Sequence, residues 1–115
     1  MIDKKNIMID IDGTVSEDIP NEEAYRFADA IILDNSVENV NNLYNKGHII
    51  TFFTARKEIH REVTEEWLNK HGFKYHQLLM NKPRGGNYVW IDNLDVWGIK
   101  FENNWNDIGN LDLIN

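Results

Sequence analysis

The amino-acid sequence predicts an α/β fold. The expected architecture is Rossmann-like and three-layered, a mainly parallel sheet of about five strands flanked by helices. Three observations predict it. Short apolar runs alternate along the chain with segments of helical period, as in strands joined by right-handed crossovers. Those runs are nearly continuous in apolar residues, as strands covered on both faces require. Three of them close on a polar residue, Asp10, Thr54 and Asp92. In open sheets of this kind ligands bind beyond the carboxyl ends of the strands.

The elements follow in order. Ile7 to Ile11 reads as a first buried strand, ended by the Asp12-Gly13 turn signal. Ser36 reads as the N-cap of a helix with Val37, Val40, Leu43 and Tyr44 on one face, and Gly47 ends it. His48 to Thr54 is the second strand, rich in β-branched and aromatic residues. A second helix runs from about Glu58 to His71, with Ile59, Val63, Trp67 and Leu68 on one face and Gly72 as its stop. Lys74 to Met80 is a third strand, Tyr88 to Ile91 a fourth, and Ile99 to Phe101 a fifth. Pro20 and Pro83 fall in loops.

With 115 residues, 42% of them hydrophobic, the chain is expected to form a single domain over residues 1–115 with one core. No repeat or low-complexity linker divides it. It has no Cys, which excludes disulfides and thiolate metal sites. No apolar run is long enough to span a bilayer, and MIDKKNIMID lacks the features of a secretory signal. The expectation is a cytoplasmic protein without a membrane partner. Acidic residues outnumber basic ones, 19 to 12, for a net charge of -7. Duplex nucleic acid is therefore not an expected partner. Any phosphate site must be locally positive, built from a cation, a Lys and backbone amides.

The chemistry-bearing residues lie at the predicted strand ends. Asp10 and Asp12 place two carboxylates where the chain turns, so that one can attack phosphorus while the other serves as general acid and base. Gly13 lets the backbone turn and approach a ligand closely. A plain Asp-Gly turn closing a buried strand gives the same letters, so the pair alone does not decide. The Thr54 hydroxyl and nearby amides, with Ala55 next in the chain, are candidates to hold a phosphoryl oxygen. Arg56 either contacts substrate or faces solvent, and the sequence leaves this open. Lys82, ahead of Pro83, is a point charge suited to a phosphoryl group. Asp92 closes the Tyr88–Ile91 run, and a carboxylate there is costly unless it is paired or binds a metal. With Asp10 and the backbone at Asp12 it offers the hard oxygen ligands that magnesium takes in small number. His48, His60, His71 and His76 show no zinc spacing and read as structural.

The order of these motifs resembles the haloacid dehalogenase superfamily. DIDGT follows the first strand, Thr the second, then come Lys-Pro and IDN, and the resemblance covers about Ile7 to Asp95. It implies Asp10 as nucleophile and Asp12 as acid and base. It also implies Gly13, Thr14, Thr54, Ala55 and Lys82 around the phosphoryl group, and Asp10, Asp12 and Asp92 around magnesium. The family often carries a second acidic residue after the last motif. Asn93 stands there, so Asn93 and Asp95 both remain candidates to support the metal. The second Asp of the first motif points to a phosphatase rather than a true dehalogenase.

Thr14 to Ser36 is too short for a folded cap domain but long enough for a flap bearing Tyr25 and Phe27. Arg56 to Asn81 is already filled by one helix and one strand. The chain thus resembles the small capless subclass, whose members take large substrates or use a second subunit as a lid, so a homo-oligomer is expected. A small phosphorylated substrate, such as a sugar phosphate or nucleotide, fits the chemistry. A phosphotransferase and a catalytically silent regulatory or binding domain are the competing functions. A phosphorylated receiver domain would need an Asp where Thr54 stands. Trp90 and Trp97 read as core residues. The segment from Glu102, with Trp105, Ile108, Leu111 and Leu113, is expected to dock on the core or on another subunit.

Overall fold

The computed structural model describes residues 3–109 and 111. Strands β1 (Asn6–Ile9), β2 (Ile49–Phe53) and β3 (Gln77–Leu79) form a parallel sheet in the order β1-β2-β3. Ile7 lies opposite Ile50, Ile9 opposite Phe52, and Phe52 opposite Leu78. The first crossover holds a 3-10 helix (Asn21–Asp29) and α1 (Ser36–Asn45). The second holds a 3-10 turn (Glu58–His60) and α2 (Arg61–Lys70). A short helix, α3 (Trp105–Gly109), follows. Among the described residues no separate cap domain is present, and no helix is long and apolar enough to cross a membrane.

Burial follows the sequence pattern. Ile50, Thr51 and Phe52 are buried in succession, so both faces of β2 are covered. Val40 and Leu43 of α1, and Trp67 and Leu68 of α2, turn inward. Trp67 also donates its indole N–H to the Ala30 carbonyl at 3.0 Å. That bond ties α2 to the end of the 3-10 helix, whose buried side chain is Phe27. Gly47 and Gly72 end their helices at φ 104° and 81°, the left-handed conformation that glycine tolerates best.

Several expectations are corrected. Ser36 is the first helical residue of α1, not its cap. Asn35 takes the cap position at φ 65°, while the Ser36 hydroxyl donates to the Leu33 carbonyl at 2.8 Å. Ile59 is 85% exposed, because the 3-10 turn breaks the helical phase ahead of α2. Among the described residues the sheet has three strands, not about five. Neither Tyr88–Ile91 nor Ile99–Phe101 forms a strand. Val89 and Ile91 are 86% and 92% exposed, and Trp90 and Trp97 are exposed rather than in the core. Local contacts account for the start of this segment. The connection 80–87 holds no helix to carry the chain across the sheet. Gly85 and Gly86 turn it at φ 81° and 76°, and the Tyr88 hydroxyl donates to the Pro83 carbonyl at 2.6 Å.

The segment after Glu102 docks on the core. Trp105 is buried, packs its ring near Phe101 at 5.5 Å, and lies on a helix that touches α1. Ile108 and Leu111 pack against the same cluster, whereas Leu113 lies outside the described residues. Two of the histidines have clear structural roles. His48 Nδ1 accepts the Lys5 backbone N–H at 3.0 Å, and His76 Nδ1 accepts that of Ile50 at 3.0 Å.

Candidate active site

The site begins where β1 ends. Ile9 and Ile11 are buried, which pins the chain on either side of Asp10. The Ile11 carbonyl then accepts the N–H groups of Thr14 and Val15, each at 3.0 Å, closing a tight loop. Gly13 sits in that loop at φ 84°, and a Cβ there would contact Asp18 at 3.5 Å. Trp105 of α3 donates its indole N–H to the Thr14 carbonyl at 2.6 Å. The loop is thus fixed from within and from the C-terminal side.

Asp10 is held from both sides. The Thr14 hydroxyl donates to Oδ2 at 3.1 Å, and Lys82 Nζ lies 3.2 Å from Oδ1. Lys82 is brought there by the chain after β3: its N–H donates to the Thr54 carbonyl at 2.9 Å, after Asn81 turns the backbone at φ 63°. The Lys82 ammonium also lies 4.9 Å from the centre of the Tyr88 ring.

Asp12 meets Arg56. Arg56 Nε and Nη2 donate to the two carboxylate oxygens at 3.0 and 2.8 Å, a two-pronged ion pair. Arg56 is therefore neither solvent-facing nor free. Sequence reading left it open, because nothing in its spacing from Asp12 announces a contact across the sheet. The one available signal is a cation just past a strand end in a chain with two crowded carboxylates.

Asp10, Asp12, Asp18, Asn21, Ala55 and Lys82 line a polar pocket of about 420 Å³, with Arg84 and Tyr88 at its side. Asn21 reaches it from the 3-10 helix, donating to the Ala55 carbonyl at 3.1 Å. Thr54 does not line this pocket: it is fully buried, and its hydroxyl oxygen accepts the Arg56 N–H at 3.2 Å. A second, more apolar slot of about 240 Å³ shares Asp10, Thr14 and Lys82, and runs along β1 to Phe101 and Trp105.

Asp92 stands apart. It does not line the pocket. Its carboxylate caps its own turn instead, accepting the Leu94 N–H at 3.0 Å and the Trp90 indole N–H at 3.2 Å. Those bonds, Leu94's first, hold it below the ordinary carboxylate range. The premise that it closes a buried strand is corrected, because the run before it is exposed. Asn93 and Asp95 are exposed beside it. Among the described residues no three His, Cys, Asp or Glu side chains gather into a metal cage.

Residues 7–88 match the family profile described as the LNS2 domain of PITM 1-3. The chain belongs to the LNS2 family. That family is haloacid dehalogenase-like and phosphatase-related, in agreement with the superfamily resemblance, and the matched residues take in the first three motifs but not Asp92. No curated protein sequence matches this LNS2 chain. Among solved structures it is similar to a chain of the Pnkp1/Rnl/Hen1 RNA repair complex, at 25% identity and a TM-score of 0.60. That match covers 67% of this chain and 25% of the other, so the LNS2 chain spans about a quarter of its length. A second structure of that complex gives 25% identity and a TM-score of 0.59 over 77% of this chain and 31% of the other. A structural-genomics target from Vibrio cholerae, 20% identical, superposes with a TM-score of 0.62 over 96% of this chain and 90% of its own. At that identity it shows the fold alone.

Proposed function

We propose that this chain is a phosphomonoester hydrolase that works through an aspartyl-phosphate on Asp10. The observation that carries this reading is the Asp10 carboxylate at a pocket wall, between the Thr14 hydroxyl and Lys82, with Asp12 lining the same pocket. An Asp10 oxygen attacks phosphorus and the ester P–O bond breaks. Asp12, once it has taken up a proton from solvent on a lone pair that Arg56 leaves free, gives that proton to the departing oxygen. It then takes a proton from water as that water attacks phosphorus, which releases inorganic phosphate and restores Asp10. Lys82, which faces Asp10 in the free protein, offers its charge to the phosphoryl oxygens. Ala55 lines the pocket beside them, and Thr54 holds the backbone of Arg56 next to it.

The donor chemistry of the pocket fits magnesium. Its carboxylates are hard oxygen ligands and few, which leaves room for water and substrate oxygens. Asp10 and Asp12 would hold the ion; Asp92, the third candidate from the sequence, caps its own turn outside the pocket. Bound there, magnesium would neutralise charge on the phosphoryl group. The open pocket, with no cap domain among the described residues, suits a sugar phosphate, a nucleotide or a larger phosphorylated partner, and a second copy of the chain would serve as a lid.

The test is hydrolysis of p-nitrophenyl phosphate with magnesium, after chelation, and in Asp10→Asn protein. Turnover is expected to need both the metal and Asp10, with circular dichroism of Asp10→Asn unchanged. Full turnover in Asp10→Asn would remove the nucleophile from the proposal. Phosphate release from no phosphorylated compound, aryl or natural, would favour a silent regulatory domain instead.

A further inference from the structure

Arg56 is among the largest side chains that the fold buries completely, at 0% exposure. A buried guanidinium is tolerated only when its N–H groups are paired. Nε and Nη2 hold Asp12, as described. Nη1 donates to the Thr64 hydroxyl oxygen on α2 at 3.0 Å, and that hydroxyl donates on to the His60 carbonyl at 2.8 Å. The guanidinium carbon lies 3.8 Å from the centre of the Phe27 ring in the 3-10 helix. The backbone is fixed as well: the Arg56 N–H donates to Thr54 Oγ1 at 3.2 Å, and its carbonyl accepts the Asn81 N–H at 2.8 Å. The fork is held at both ends and on its face.

We propose that Arg56 is the positioning residue for Asp12. The inference rests on the hydrolase reading above. A carboxylate offers about four lone-pair sites, and the fork takes one on each oxygen. The others stay free, and Asp12 lines the pocket where the departing oxygen and then the attacking water would arrive. Asp12 keeps 15% of its side chain exposed while Arg56 keeps none. Arg56 therefore acts through Asp12 and does not meet the substrate. Thr64 and Phe27 hold the fork in register, so α2 and the 3-10 helix contribute to the reaction without touching it. Lysine is no substitute, because a single ammonium cannot fix the plane of a carboxylate.

The test is a kinetic cycle on the full chain with p-nitrophenyl phosphate and magnesium. It compares wild type, Asp12→Asn, Arg56→Lys and the double variant, beside Asp10→Asn. Arg56→Lys is expected to lower kcat on the order of 10²-fold, the cost of misdirecting a reacting group, with KM falling by about the same factor and kcat/KM little changed, because attack by Asp10 is untouched. In the Asp12→Asn background the same change should cost less than about threefold. Arg56→Lys should also show a burst of p-nitrophenolate stoichiometric with enzyme. That leaving group departs without a proton, so only the water step is slowed. Equal losses in both backgrounds, with no burst, would overturn the proposal and leave Arg56 a fold-stabilising residue. Should Arg56→Lys fail to fold, Thr64→Val replaces it in the same cycle. It frees Nη1 while leaving Asp12 paired, and a smaller loss with a burst is expected; a loss additive with Asp12→Asn would overturn the proposal. Turnover that is missing from wild type, or survives Asp10→Asn, would instead sink the hydrolase reading, which the Asp10→Asn arm reports separately.

Discussion

Single side chains in this protein are read best from their partners. Asp10 and Asp12 are two residues apart yet sit in different company, Thr14 and Lys82 for one and Arg56 for the other. That difference in partners supports giving them separate roles in the proposed reaction. His71 gives a test at the same scale that is independent of activity. Burial beside Trp67, whose ring centre is 4.5 Å away, and the Lys70 charge after it, push the His71 pKa below its ordinary 6.5. The unfolded chain therefore takes up a proton at higher pH than the folded one. Stability is complete above the unfolded value and falls as pH drops through it towards the folded one. Thermal melts from pH 7.5 to 5 should show this loss, and His71→Gln should flatten its share of it. An unchanged slope in His71→Gln would assign the loss to other groups.

Among the elements, α3 has the clearest link to the site although it contributes no residue to the polar pocket. The Trp105 indole N–H reaches the Thr14 carbonyl, and the Thr14 hydroxyl reaches Asp10. Trp105→Phe keeps the apolar ring and removes that bond. It should cost about 1 kcal/mol in urea unfolding and lower kcat by more than that stability loss explains. A kcat equal to wild type would show that the loop holds its shape without α3. The sequence made Trp105 visible as an aromatic residue in a polar segment. It did not make visible that the indole would bond to a residue of the first motif.

At the scale of the whole molecule, the sheet and the exposed apolar segment after Tyr88 decide between two pictures. A buried fourth strand would make Val89 and Ile91 core residues, and truncating such residues costs roughly 2–5 kcal/mol. The structure leaves both side chains in solvent. Val89→Ser combined with Ile91→Ser should then change the unfolding free energy by no more than about 1 kcal/mol, measured by urea denaturation. A loss of several kcal/mol would show that the segment packs as a strand.

The sequence by itself determined the α/β class, the parallel pairing and the first two strand–helix units. Apolar runs and helical periods are local patterns, and short-range sterics and burial enforce them. It also singled out Asp10, Asp12 and Lys82 as candidates for chemistry, and the fold brings the three to one pocket. Only the tertiary structure decided that Arg56 is buried on Asp12, that Trp105 holds the first loop, and that Asp92 caps its own turn away from the pocket. Each of these is a contact between residues far apart in the chain or a choice between local and distant partners. Such choices depend on which groups the fold brings within hydrogen-bond reach, a distance that no spacing along the chain records.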